Sequence, residues 1–418
     1  MSTFDPQTLR RMFPALDRVV NGSPAIFLDG PGGTQVPECV IEAVSEYYRH
    51  FNSNTDGAFQ TSQVTDGLIA KGRSAMAALV NAPSPGHIKF AASMTAHTFA
   101  ISRSIGATLG PQDEIVVTAL DHEANVTPWH LLTERGVRVV TVDIDPEQCT
   151  LDMADFERKL SSRTRVVAVG VASNAVGTIN DVAGICARAH AVGAIAYVDA
   201  VHYVPHGPID VQAMECDALV CSAYKFFGPH IGVLWIQDEL VARLPPYKVR
   251  PAVDPVELGT MNHEGIVGAT AAIGYLESIG TTGLSQPGEL QGESRTHRLR
   301  VAMEAIRAYE ATLCKRLLEG LAKIPRVKVW GIADPARVAE RTPTVAITVA
   351  GLAPRVVAEK LGREGIFVWD GDFYARALIE RLGLGESGGV VRLGLVHYNT
   401  AEEVDRTVAT LCRLADRG

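Results

Sequence analysis

The stretch "CSAYKFFGPHIGVLW" (residues 221–235) carries Lys225 as its one charged residue, between an apolar run and a Phe-Phe-Gly-Pro turn. An ammonium group in such surroundings is costly unless it is paired or neutralised. Two readings compete. The stem can pack while the head reaches water, or the amine can be held neutral so that it forms a Schiff base. Other reactive residue types sit at matching places, each just after or at the end of an apolar run. Asp199 closes "AIAYVD", and His122 follows "VVTAL" in "DHEANVTPW". Asn174 follows "VVAVGVAS" in "SNAVGT", and a helical pattern starts near Met94 and Thr95 after "KFAAS".

The runs themselves explain why these positions can converge. From about residue 85 to 237, "HIKFAAS", "EIVVTAL", "VRVVTVDI", "RVVAVGVAS", "AIAYVDA", "DALVCSA" and "GVLWIQ" alternate with helical stretches such as "DVAGICARAHAVG". Apolar strands alternating with helices predict a mostly parallel sheet covered on both faces. The last two runs are too close for a crossover helix, so one strand is expected to be antiparallel. Ligands of open α/β sheets bind beyond the carboxyl ends of the strands. After residue 260 the pattern changes to a long amphipathic helix (about 293–324), the strands "TVAITVAG" and "VVRLGLV", and the helix "AEEVDRTVATLCRLA". This predicts a smaller α+β C-terminal domain, joined through the flexible stretch "IGTTGLSQPGELQGES".

Composition narrows the function classes. The chain has 418 residues, 47% hydrophobic and 21% charged, as in a globular protein of more than one domain. A net charge of −8 gives no footprint for nucleic acid or an anionic membrane. The seven cysteines are scattered without a CxxC pair, which reads as a reduced cytoplasmic protein. No signal-peptide or membrane-spanning stretch is expected from the N-terminus or beyond.

Singly, each reactive residue has an ordinary explanation: an Asp after a strand as a cap, a His as a satisfied polar group. Together they form the set that pyridoxal 5'-phosphate (PLP) needs. Lysine makes the imine, a carboxylate keeps the pyridine nitrogen protonated, a flat ring stacks, and a helix N-terminus receives the phosphate. The motifs "LDGPGGTQ", "DHEANVTPW", "VASNAVGTINDV", "YVDAVH", "SAYKFFGPHIGVLW", "ELGTMN" and "VVRLGLVHYNT" then resemble, as a set, the class V aminotransferase family of fold-type I PLP enzymes. Within it the chain is similar to the cysteine desulfurase-like branch, from about residue 24 to the C-terminus.

The resemblance implies an α/β fold: a large PLP-binding domain (24–285) with a mostly parallel seven-stranded sheet, and a small α+β C-terminal domain (286–418). An N-terminal segment (1–23) would pack with the small domain. It also implies roles. Lys225 would be the Schiff-base lysine, Asp199 the partner of the pyridine nitrogen and His122 the stacking ring. Asn174 and His202 would lie near the phenolic oxygen, and Met94, Thr95 and Ser222 near the phosphate. Tyr224 stands where the family usually has a phosphate-binding His. Thr260 would reach the phosphate of a neighbouring subunit, implying a homodimer with shared sites, and Arg392 would grip the substrate carboxylate. Gly32, in "GPGG", would lie near the substrate.

The chain departs from the desulfurase pattern in the loop "VWDGDFYA". Tyr374 stands where the branch carries its sulfur-accepting cysteine, and Trp369 replaces an arginine. A phenol cannot accept sulfur as a thiolate does. "SNTDGAFQTSQ" also differs from a basic, His-rich segment of the family. The expected order of reactions is therefore aminotransferase first, then β-lyase of the C–S type, with racemisation or epimerisation as another outcome. A desulfurase using a thiol outside the usual loop comes last, and a catalytically silent PLP-binding protein is the non-enzyme alternative. Of the remaining motifs, "GESGG" (385–389) is followed by "VVRLGLV" where a nucleophile elbow requires a helix, so a flexible loop is expected. "HEANV" has Val126 in place of a second zinc ligand, so no metal site is expected. The substrate pocket is expected to be shaped by "FVWDGDFYAR" and "RPAVDPVELG".

Overall fold

A computed structural model of the chain describes residues 5–249, 256–280 and 292–417. The boundary expected at 285/286, most of the expected flexible connection and residues 250–255 of "RPAVDPVELG" lie outside the described residues. Seven strands form the main sheet: β1 (Ile88–Ala91), β2 (Glu114–Thr118), β3 (Arg138–Val142), β4 (Thr164–Gly170), β5 (Ile195–Asp199), β6 (Ala218–Ser222) and β7 (Gly232–Ile236). Their order is β1-β7-β6-β5-β4-β2-β3. Strands β2 to β6 pair in parallel, whereas β7 is antiparallel to both β6 and β1. All seven runs read from the sequence are strands of this sheet, and the last is the antiparallel one.

The near-continuous apolar character of these strands has a direct cause. Along β4, Val167 and Val169 join one buried cluster while Val166 and Ala168 join the cluster on the other face. Helices cover both faces, among them α1 (Gln60–Leu79), α2 (Met94–Gly106), α3 (Val182–Ala191) and α4 (His263–Ser278). Several of them start at caps visible in the sequence. Ser93 Oγ accepts from Ala96 N (3.1 Å), Asp181 Oδ1 from Gly184 N (3.1 Å) and Asn262 Oδ1 from Gly265 N (2.7 Å).

The 27-residue helix α5 (Arg295–Leu321) passes from one core to the other. Leu299, Ala302, Met303 and Ile306 pack in the main core, and Leu313, Leu317 and Leu321 in that of the smaller unit. At the changeover Glu310, 1% exposed, meets the buried His206 through Nδ1 at 2.7 Å. The smaller unit carries an antiparallel sheet of β8 (Val327–Trp330), β9 (Thr344–Val349), β10 (Trp369–Gly371) and β11 (Val390–Gly394), in the order β8-β9-β11-β10. Helices α6 (Pro354–Arg363) and α7 (Ala401–Arg417) pack with it. Residues 26–28 bridge the two units. Ile26–Phe27 pairs in parallel with Ile366–Phe367, and Ile26 and Leu28 bury in the smaller core while Phe27 buries in the larger. The N-terminal segment touches both as well. Phe13 packs edge-on against Phe227, Tyr275 and Tyr398, and Arg10 pairs with Glu403 at 2.9 Å.

Because β1 runs with the parallel strands, the N-terminus of α2 lands on the same edge of the sheet as the ends of β2, β4, β5 and β6. Gly232 on β7 makes this possible. A Cβ there would lie 2.1 Å from the Ser93 carbonyl carbon and 2.4 Å from Met94 N. The substitution Gly232→Ala is expected to cost about 1–3 kcal/mol through backbone overpacking and to push the first turn of α2 outward. Thermal unfolding checks it: a melting temperature equal to that of the parent protein would contradict the close approach.

Candidate active site

At that edge lies a cavity of about 290 Å3. Asp199 ends β5, Ser222 ends β6, and Asn174 and His122 follow β4 and β2 by a few residues. Twelve of the thirteen residues singled out from the sequence line this one cavity: Lys225, Asp199, His122, Met94, Thr95, Asn174, His202, Ser222, Tyr224, Arg392, Tyr374 and Gly32. Thr260 is the exception. It is exposed and not part of the lining.

Lys225 closes a single 3-10 turn (Ala223–Lys225) in the short connection between β6 and β7. Its Nζ donates to Pro31 O and stands 4.8 Å from the centre of the Tyr224 ring. The turn is tied to the glycine-rich loop, since Thr34 N donates to Tyr224 O (3.0 Å) and Phe227 N to Thr34 Oγ1 (2.9 Å). Burial, and then the Arg392 guanidinium, pull the Lys225 amine down to about 7, with Asp199 opposing them. Burial pushes Asp199 up to about 6, against the Val201 N–H that donates to Oδ1 at 2.8 Å and against the Lys225 charge.

His122 is held neutral, at about 4, by burial first and then by the charges of Lys225 and Arg392. Its Nδ1 accepts from Ala124 N at 2.9 Å, which leaves the ring proton on Nε2. His202 is also held neutral, by burial and by His206, and its Nε2 lies 3.2 Å from Thr342 Oγ1. Arg392 projects from β11, 4% exposed. Its Nη1 donates to Asn174 O at 2.8 Å, while Nε has no hydrogen-bond partner among the described residues. Ser222 Oγ and Asn174 Oδ1 are likewise buried without one. Buried polar atoms in this state are costly unless something else satisfies them.

Sequence reasoning did not assign roles to several lining residues. Asp121 is 6% exposed, accepts from Thr118 Oγ1 at 2.6 Å, and is pushed up to about 7 mainly by burial, with the Asp199 charge adding to it. The signal was present, a carboxylate directly before His122 at a strand end. Phe373, whose ring centre is 4.0 Å from Arg392 Cζ, had no such signal, because it lies in a loop. Pro31 and Ser93 also line the cavity, and Trp369, read only as a replacement for an arginine, stands over Gly32.

No cysteine lines the cavity. Cys221 is buried within β6, and five of the seven thiols are buried. The loop 385–389 is a turn before β11, in keeping with a non-catalytic reading of "GESGG". Glu123 belongs to a short 3-10 turn, and no cluster of metal-ligating side chains is found among the described residues. No helix among them is long and apolar enough to cross a membrane.

The lowered lysine gives a direct test. In the apoprotein, acylation of Lys225 followed by mass spectrometry is expected to rise through about pH 7. An ordinary lysine would follow roughly three units higher. A Lys225 profile that tracks the exposed lysines would contradict the buried, charge-flanked setting.

Three comparisons bear on this site. The family model of the class-V aminotransferases matches residues 26–407. A cysteine desulfurase of Synechococcus elongatus is 34% identical over 98% of this chain, which spans 64% of that longer relative. A cysteine desulfurase of Pectobacterium carotovorum is 32% identical over 98% of this chain and 97% of its own length. The structure of an apo cysteine desulfurase from Thermococcus onnurineus superposes with a TM-score of 0.86 at 26% identity, covering 100% of both chains. The chain therefore belongs to the class-V aminotransferase family of fold-type I PLP enzymes, in its cysteine desulfurase-like branch.

Proposed function

We propose that the protein is a PLP-dependent enzyme that binds an amino acid through Arg392 and takes the proton from its Cα with Lys225, acting as an aminotransferase. The observation that carries this reading is the shared cavity of Lys225, Asp199 and the buried, half-satisfied Arg392. The residues suit the cofactor. The unpartnered Ser222 Oγ and the first N–H groups of α2 at Met94 and Thr95 make an anion cradle. Asp199 would hold a proton on the ring nitrogen, and neutral His122 would stack. Asn174 and His202 would lie near the phenolic oxygen.

When bound, the cofactor supplies a sink for the electrons left at Cα. The protein supplies the rest. A Lys225 amine near 7 is a competent nucleophile at neutral pH and, once free, a competent base at Cα. Arg392 Nε offers an unused donor to the substrate carboxylate, and the neighbouring guanidinium N–H is fixed by Asn174 O. Thr260, exposed outside the cavity, fits a role toward a second copy in a homodimer. Seven unpaired cysteines fit a cytoplasmic setting.

A second reading, β-lyase, is favoured by one observation. The Tyr374 phenol stands at the mouth beside His122, with ring centres 5.4 Å apart, where an O–H could protonate a group leaving Cβ. Desulfurase chemistry ranks below both, because no thiol lines the cavity.

The visible spectrum of the loaded protein, titrated with a panel of amino acids including cysteine, tests the proposal. Bleaching to the pyridoxamine form, reversed by a keto acid, supports aminotransfer. A retained yellow spectrum with accumulating pyruvate and ammonia supports the lyase. Failure of every amino acid to change the spectrum would favour a silent PLP-binding protein. The variant Lys225→Ala is expected to lose the borohydride-reducible link to the cofactor, and its persistence would move the lysine role elsewhere. Arg392→Ala is expected to raise KM by about ten- to a hundredfold with cofactor affinity little changed. Unaltered kinetics would exclude it as the carboxylate anchor.

A further inference from the structure

The mouth of the cavity is built from aromatic carbon. The Arg392 guanidinium sits over the Phe373 ring, 4.0 Å from Cζ to the ring centre. Tyr374 follows, tilted against His122. Trp369 also lines the cavity, so close to Gly32 that a Cβ there would lie 2.1 Å from Nε1. The indole N–H is already used, donating to Asp29 O at 3.2 Å, so the ring has only carbon surface left to offer.

This wall is fixed in advance. Phe373 and Tyr374 adopt φ of +56° and +57°, a left-handed conformation that non-glycine residues avoid at some cost. Three bonds hold them there. Phe373 O accepts from Asn174 Nδ2 (2.9 Å), Tyr374 O from Glu123 N (2.8 Å), and Asp372 Oδ1 from Tyr374 N (3.0 Å). Trp369 and Tyr374 nevertheless remain 49% and 69% exposed, a large aromatic surface to keep in water at the mouth of a cavity. Besides Arg392 and the two tyrosines, the ionisable lining residues are Asp121, His122, Asp199, His202 and Lys225, all on loops and strands at the edge of the main sheet.

We propose that Trp369, Phe373 and Tyr374 form a preformed side-chain subsite that selects amino acids with large apolar, aromatic-sized side chains over small or charged ones. The proposal rests on the reading of Arg392 as the carboxylate anchor. With the carboxylate beside Phe373 and Cα above Lys225, a side chain directed outward enters the space between Trp369 and Tyr374. There it meets ring carbon and the Tyr374 hydroxyl rather than charge, since neither Asp370 nor Asp372 of the same segment lines the cavity. An acidic or basic side chain would lose water there without gaining a partner, and a methyl group would leave both rings wet.

Carboxylates lacking the amino group test the subsite apart from any reaction. Calorimetric titration of the holoenzyme with 3-phenylpropionate, propionate and succinate is expected to show 3-phenylpropionate binding about ten- to a hundredfold more tightly than propionate. Succinate should bind no better than propionate. Trp369→Ala and Tyr374→Ala should each remove most of that advantage while leaving propionate affinity in place, whereas Arg392→Ala should weaken all three ligands alike. Equal affinities for 3-phenylpropionate and propionate would overturn the proposal. So would an advantage that survives both aromatic substitutions, as expected if the rings serve only contact between subunits. A retained 3-phenylpropionate preference in a protein whose spectrum no amino acid alters would count against the enzymatic reading alone.

Discussion

A primary amine largely shielded from water is the constraint around which this molecule is arranged. Burial and the nearby guanidinium of Arg392 both disfavour the charged form of Lys225, and the carboxylate of Asp199 partly restores it. An unpaired ammonium in that position would be heavily destabilising, whereas a neutral amine bonded to Pro31 O is tolerable. The same balance makes the group reactive near neutral pH. Stability and chemistry thus ask for the same arrangement of charges, and neither Asp199 nor Arg392 can be changed without disturbing both.

Sheet polarity delivers the partners. Parallel strands bring the ends of β2, β4, β5 and β6 to one edge, where each chain segment leaves the sheet with polar residues free to turn inward. The antiparallel β7 permits the tight connection that carries Lys225, and its Gly232 lets the start of α2 sit directly against the sheet. From the other side, β11 contributes Arg392, and β10 with the loop after it contributes the aromatic rim. The site therefore depends on two separate cores holding their relative position.

Much of this was legible in the sequence. Apolar runs of strand length located all seven main strands, and the short spacing before "GVLWIQ" identified the antiparallel one. Residues at run ends located Asp199, His122, Asn174, Lys225 and the start of α2, because in a sheet buried on both faces a polar side chain at a strand end has few other places to go. His202, Ser222, Tyr224, Arg392, Tyr374 and Gly32 followed only from the family resemblance. Contributions without local periodicity were harder to see. Phe373 and Tyr374 owe their positions to unusual backbone angles and to bonds from Asn174 and Glu123, some 200 residues and more away in the chain. The division of residues 26–28 between two cores was likewise hidden, since Ile-Phe-Leu reads as apolar in either setting. The α5 pattern showed a long helix, but not that its halves serve different cores around Glu310.

That last feature bears on how the two units can move. A helix of 27 residues is about 40 Å long and stiff on the scale of a domain. Since α5 is embedded at one end in the large unit and at the other in the small one, it acts as a shared axle rather than a loose tether. Any tilt of the small unit works on this rod and on the bridge at residues 26–28, and the buried His206–Glu310 contact sits where the rod changes cores. Such a motion would also have to break the bonds that tie Arg392 and Phe373 to Asn174 and Tyr374 to Glu123, so the anchor and the rim latch the two units together at the mouth of the cavity.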